Sequence, residues 1–233
     1  ISIVICLLFL CSCAQLKDKA AGINRNTFGD ELAGTSRIIF TNYKQNAARF
    51  TVSDPKVVKE IVAMMSKSST SNDVPGVTPD YTISFYIQNG RQVTFDYWMG
   101  ASSNGKKTNL KDEKGQYYKV SDNLDTYIIN SIKMFDRPEK FVELYSLCLK
   151  DSISQLQKGK AEATVGIDMK SDRRMQKYII SYEEGKMFND IKVDGFDIQR
   201  YLNGGKYDYI VSYVTNMYNP QKAQITVEVR NTK

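Results

Sequence analysis

The chain has 233 residues, 42% hydrophobic and 25% charged, an ordinary balance for a folded protein and enough apolar side chain for a sizeable core. It carries 32 basic and 26 acidic residues, a net charge of +6, and no histidine. The missing imidazole excludes Ser-His-Asp and Cys-His catalysis and zinc hydrolase sites built on His, leaving Lys, Tyr and paired carboxylates open.

Residues 1–13, ISIVICLLFLCSC, are apolar and uncharged. At about 1.5 Å per residue the run is too short to cross a hydrocarbon core of about 30 Å as a helix. It has the character of the apolar core of a secretory signal peptide, expected over residues 1–12. Neither Met nor a Lys/Arg stretch stands ahead of Ile1, so the true start of the reading frame is expected upstream. The segment ends in Leu10-Cys11-Ser12-Cys13, which resembles the lipobox of bacterial lipoproteins, with Cys11 where Ala, Ser or Thr is usual. The resemblance implies cleavage after Ser12 and a diacylglycerol thioether on Cys13. That places the protein on the extracytoplasmic face of the cell membrane, since two acyl chains anchor stably where one is marginal. Cys6 and Cys11 then leave with the signal, and Cys148 is the one free thiol of the mature chain.

Residues 13–35 are polar, rich in Lys, Asn, Gly and Ala, and are expected to form the lipidated flexible tether. A first α+β domain is expected over 36–135. Strands are predicted at 36–43 and 47–52. Ser53-Asp54-Pro55 opens a helix with Val57, Val58, Ile61, Val62, Met64 and Met65 on its apolar face. Residues 66–79 read as loop.

Tyr81, Ile83, Phe85 and Ile87, then Val93, Phe95 and Tyr97, alternate with polar residues on either side of Asn89-Gly90, the pattern of a hairpin. A two-residue turn would pair Phe85 with Thr94 and mix the faces. A three-residue loop, Gln88-Asn89-Gly90, pairs Phe85 with Val93, Ile83 with Phe95 and Tyr81 with Tyr97, and is the register expected. A polar segment at 100–115 follows, then a short strand at 116–120. Ser121-Asp122-Asn123 caps a helix to Met134 with Leu124, Tyr127, Ile128 and Ile132 inward.

Asp136-Arg137-Pro138 reads as the boundary to a second α+β domain, 138–233. A long helix runs from Pro138 to about Gln157, with Phe141, Leu144, Tyr145, Cys148, Leu149 and Ile153 on one stripe and Lys158-Gly159-Lys160 ending it. On that stripe Cys148 is expected as a small buried hydrophobe. Strands are predicted at 161–169, 175–182 and 187–193, with a turn at Glu184-Gly185. A short helix at 196–202 and a last strand pair at 207–216 and 223–230, joined across Asn219-Pro220, complete the chain. The fold class is α+β, with two small domains that each pack an antiparallel sheet against one or two helices.

The Asp80-Tyr81 strand opening, Asn89-Gly90-Arg91, the Tyr97-Trp98 step, the strand Tyr117-Tyr118-Lys119-Val120-Ser121 and the helix behind it resemble the YhfM-like domain of Bacillus-type lipoproteins. The resemblance covers under half of the chain and implies a surface lipoprotein of a Gram-positive bacterium. It implies no activity. Residues 138–233 resemble no family.

Ser53-x-x-Lys56 and Ser121-Asp122-Asn123 match fragments of serine penicillin-binding enzymes, but no Lys-Thr-Gly follows and both sites are helix starts, so capping is expected. Asp122, Asn123 and Asp125 lack the Gly and Glu of a calcium loop. Lys106, Lys107, Lys111, Lys114 and Lys119 gather around one loop, as a solvated surface or as an anionic docking patch. Trp98, the one Trp, forms with Tyr86 either an exposed aromatic site or part of the core. The expectation is thus a lipid-anchored extracytoplasmic binding module for an envelope component. It has no catalytic residues, metal or cofactor, and its partner is an envelope protein or an anionic wall polymer. Nucleic acid is not expected, because the basic residues are interspersed with acidic ones. The alternative is an accessory or inhibitory protein of a cell-wall enzyme, with a His-independent hydrolase third.

Overall fold

Strict alternation of apolar and polar side chains builds the first sheet. In the computed structural model, residues 27–44, 48–131, 137–138, 140–156, 163–216, 218–219 and 222–230 are described. The chain divides into two units, Ile1–Ile128 and Ile129–Lys233. The signal segment, Cys13, Lys158-Gly159-Lys160 and Pro220 lie outside the described residues.

In the first unit, β1 (Thr35–Asn42) and β2 (Arg49–Val52) pair antiparallel, followed by α1 (Pro55–Ser66). The Asp54 carboxylate caps α1, accepting from the Lys56 and Val57 amides at 2.8 and 3.1 Å, and Pro55 takes a first-turn position whose N–H would be orphaned anyway. Val58, Ile61 and Met65 are its buried stripe. A short strand, β3 (Ser69–Ser71), interrupts the segment expected as loop. The hairpin β4 (Tyr81–Ile87) and β5 (Gln92–Tyr97) has the three-residue loop and the Phe85–Val93, Ile83–Phe95 and Tyr81–Tyr97 pairs that alternation requires. Gly90 supplies the left-handed conformation of that loop at φ 83°. β6 (Leu110–Asp112), within the segment read as polar loop, and β7 (Tyr117–Lys119) extend the sheet, and α2 (Asn123–Ser131) follows. The sheet order is β2-β1-β4-β5-β6-β7-β3, antiparallel throughout.

The tether expected to run to residue 35 ends sooner. Thr27 donates its amide to the Ser66 carbonyl at 3.0 Å. Phe28 packs edge-on against Phe95 and Tyr118, with ring centroids 4.8 Å away in each case, and Leu32 is fully buried. Two large apolar side chains six residues or fewer from Thr27 outweigh the polar composition around them, because burying each is worth about 1.5–3 kcal/mol.

In the second unit, α3 (Phe141–Ser154) packs on a mixed sheet of β8 (Ala163–Asp168), β9 (Phe196–Arg200), β10 (Tyr209–Thr215) and β11 (Ala223–Val229), in the order β11-β10-β8-β9. β8 is parallel to both β9 and β10, and only β10–β11 is antiparallel. The expected purely antiparallel sheet is therefore corrected. A parallel β8–β9 pair needs a crossover, and the chain supplies α4 (Arg173–Tyr178) and α5 (Ser181–Asp190), where strands and a turn were expected. With α3, the described residues of this unit form three helices rather than one or two. Of residues 196–202, expected as helix, Phe196–Arg200 form β9 instead.

The return from β9 to β10 crosses β8 on the sheet's other face. Tyr201 donates to the Ile167 carbonyl at 2.9 Å and Asp208 to the Thr164 carbonyl at 2.9 Å, so residues 202–207 form a strap over β8. Gly166 lies beneath it, against the Tyr207 ring.

The α3 stripe is narrower than expected. Phe141, Tyr145, Leu149 and Ile153 are buried at strict i,i+4 spacing, while Leu144 is 45% exposed and Cys148 is exposed. Cys148 is thus no core residue; its thiol hydrogen-bonds the Tyr213 hydroxyl, which burial and that contact push upward in pKa.

Candidate functional site

The lysine-rich loop is held by its backbone. Gly100 and Gly105 bracket one turn of 3-10 helix (Ser102–Asn104) with φ 66° and 69°. The Lys107 amide donates to Asp73 Oδ2 at 2.9 Å, and Thr108 Oγ1 meets Ser71 Oγ at 2.6 Å. Thr108 and Asn109 are fully buried, and the Asn109 side chain exchanges two hydrogen bonds with the Val120 backbone at 2.8 and 3.0 Å. These bonds fix Lys106 and Lys107 on the rim of a depression of about 710 Å³ floored by Ser69–Asp73 and closed by Ser102 and Lys119.

Lys119, on β7, donates to Asp122 Oδ1 at 2.6 Å and to Ser102 Oγ. Burial would raise the Asp122 carboxyl, but its bonds from Lys119 and Ser102 and the ammonium charge outweigh that and hold it below the ordinary carboxylate range. A second depression of about 700 Å³ shares Ser69 and Lys119 and reaches α1 and the start of α2. Its charges balance, Glu60 and Asp122 against Lys67 and Lys119, whereas the first adds Lys106 and Lys107 to the Asp122-paired Lys119 with Asp73 as its one lining carboxylate.

Ser102 and Lys119 are the residue types of a Ser-Lys nucleophile, but here the hydroxyl and the ammonium both bond to Asp122. A lysine whose protons are engaged by a carboxylate and a hydroxyl is badly placed to take one from that hydroxyl. What the depression presents is positive charge and hydrogen-bond donors, a setting suited to holding an anion.

The sequence-predicted residues separate into three groups. Lys106 and Lys107 share the depression. Lys111 does not: it sits on β6 opposite Asp96, its Nζ 5.9 Å above the Tyr117 ring. Burial raises the Asp96 carboxyl, with Lys111 opposing the shift. Trp98 and Tyr86 do not form one aromatic site. Trp98 is 4% exposed, donates its indole N–H to the Val77 carbonyl at 2.9 Å, and lies at the open end of the hairpin. Tyr86 stands at the turn end under the Arg37 guanidinium, 4.4 Å from its ring centroid. Tyr86 is paired with Gln92, and the six strand steps from Gln92 to Trp98 put the two residues about 20 Å apart. Ser71, which lines the depression, was hidden in the run read as loop, because a three-residue edge strand carries too little alternation to register.

The two helix starts behave as caps. Ser121 Oγ accepts from the Asn123 amide at 3.3 Å, and Asp125 turns inward to accept from the Tyr97 hydroxyl at 2.8 Å and the Gly100 amide at 3.0 Å. Burial comes first in raising the Asp125 carboxyl and exceeds the lowering effect of those two bonds. Among the described residues no helix is long and apolar enough to cross a membrane.

No curated protein and no solved structure matches the chain. Every residue lining the basic depression lies within 34–137, and residues 34–137 are a YhfM-like domain, matching the model described as YhfM protein.

Proposed function

We propose that the protein is a lipid-anchored extracytoplasmic binding module, carried on Cys13, that holds an anionic component of the cell envelope without chemically altering it. The observation that carries this reading is the depression in which Lys106 and Lys107 stand with Asp73 as the one carboxylate of the lining, beside a Lys119 already paired with Asp122. The lipobox-like Leu10-Cys11-Ser12-Cys13 supports the anchor. Mass spectrometry of the mature N-terminus tests it: an acylated Cys13 is expected, and an N-terminus elsewhere overturns it. Retention of the protein on an envelope-extract column, eluted by salt, tests the binding role; passage straight through the column refutes it.

A second reading, an accessory or inhibitory protein of a cell-wall enzyme, is favoured by the apolar surface of the second unit. Leu144 and Leu147 on α3 are 45% and 54% exposed, and Val229 on β11 is 63% exposed. Apolar side chains left in water suit a protein partner better than a polyanion. Leu144→Asp/Leu147→Asp should abolish retention under this reading and leave it unchanged under the first.

A further inference from the structure

We infer that the depression between β3 and the 102–107 loop is a phosphodiester-binding site, an inference that rests on the binding role proposed above. The argument comes from its inventory of donors and acceptors. Ser71 Oγ already accepts from Thr108 Oγ1 at 2.6 Å and from the Asp73 amide at 3.2 Å. With both lone pairs engaged, its own hydrogen is left to donate. Lys119 uses two of its three donors on Asp122 and Ser102, leaving the third. Lys106 and Lys107 form no ion pair with a described carboxylate, and the one facing carboxylate, Asp73, has Oδ2 committed to the Lys107 amide. The site therefore offers several donors and the two charges of Lys106 and Lys107, with Lys119 held against Asp122 and Asp73 the one carboxylate of the lining.

Its complement is a group rich in acceptors, negatively charged and without donors of its own. A phosphodiester meets all three conditions: two non-bridging oxygens share one charge, and the ester oxygens accept but do not donate. A phosphate monoester brings more charge but offers no chain continuity. The two depressions share Ser69 and Lys119, and the shared wall gives a diester-linked chain a direction to leave along. A phospholipid headgroup and a phosphate-linked wall polymer present the same linkage, and the experiment separates them.

The test uses the full chain in non-ionic detergent micelles. It is titrated with a soluble poly(glycerol phosphate) oligomer, with micelles doped with phosphatidylglycerol, and with polyglutamate as a carboxylate control. Binding is read from the amide shifts of Ser71, Lys107 and Lys119. Shifts with either phosphodiester probe, and at least about tenfold weaker binding in Lys106→Gln/Lys107→Gln, are expected, since two charge-assisted contacts are lost. The oligomer binding more tightly assigns the ligand to a polymer, and the doped micelle binding more tightly assigns it to a headgroup. Lys114→Gln, outside the depression on the β6–β7 turn, should leave affinity unchanged. Three outcomes overturn the inference: equal binding of polyglutamate, an equal loss in Lys114→Gln, or no shift with either diester. If the diesters fail while the envelope-extract column still retains the protein, the phosphodiester assignment falls and the binding role stands.

Discussion

Gly166 lies in the middle of β8, where a Cβ would come within 2.8 Å of the Tyr207 ring. The ring cannot retreat. Its hydroxyl donates to the Arg200 carbonyl at 3.1 Å and accepts from the Leu202 amide at 2.9 Å, and Gly205 is packed against its other side. Gly166→Ala is therefore expected to cost about 1–3 kcal/mol, the usual penalty of overpacking, seen as a lower urea midpoint with unchanged slope. Asp125 carries the pH dependence at this scale. Its folded-state carboxyl is raised, so its contribution to stability is fully present below the ordinary value of 3.8 and is lost as pH rises through the raised one. Asp122, lowered, runs the opposite way: its contribution is present above 3.8 and is lost as pH falls through its depressed value. Asp125→Asn should remove the fall in stability that begins as pH rises from 3.8 and leave the slope at neutral pH unchanged, as checked by urea melts across the acid range.

Among the elements, α4 depends most on one side chain. Asp172 is 1% exposed, caps α4 through the Met175 amide at 2.9 Å, and receives the Thr215 amide and hydroxyl at 2.8 and 2.6 Å. Asp172→Ala loses the cap and strands a buried amide at the end of β10. About 2–4 kcal/mol of destabilisation is expected by thermal or urea melts. β11 is the opposite case. It is an edge strand whose inward-facing Val227 and Val229 remain 37% and 63% exposed. Its amides should exchange with deuterium at least about tenfold faster than those of β8, measured residue by residue. The hairpin β4–β5 was legible in the sequence because alternation on both strands and a glycine at the turn allow one register only. Residues 173–190 were not. Met175, Tyr178, Ile179 and Tyr182 do recur at helical spacing, but Tyr178-Ile179-Ile180 is a run of strand-favouring residues, and Glu184-Gly185 imitates a turn. The true signal was the Asp172 cap, and its partner Thr215 lies 43 residues away. β9 failed for another reason, since five residues are too few to separate a period of 2 from one of 3.6.

At the scale of the whole chain, α+β class, the hairpin register and the location of a YhfM-like domain were readable from one sequence. The parallel pairings of β8 were not, because they depend on which distant strands become neighbours, and local alternation is silent about that. The candidate site was half legible. The lysines stand out by type, but their separation into Lys106 and Lys107 with Lys119, and Lys111 elsewhere, follows from the Lys107–Asp73 and Thr108–Ser71 bonds between distant segments.

The strap over β8 also dictates how the second unit comes apart. Under tension from its C-terminus, β11 can peel away alone, but β10 cannot follow without dragging Asp208 off Thr164 and prising Tyr207 out of its glycine-lined slot. The first event resembles a zipper and the second a latch. A single-molecule pull should therefore record a low, early step followed by one abrupt release in which the strap, β10 and the heart of the sheet give way together.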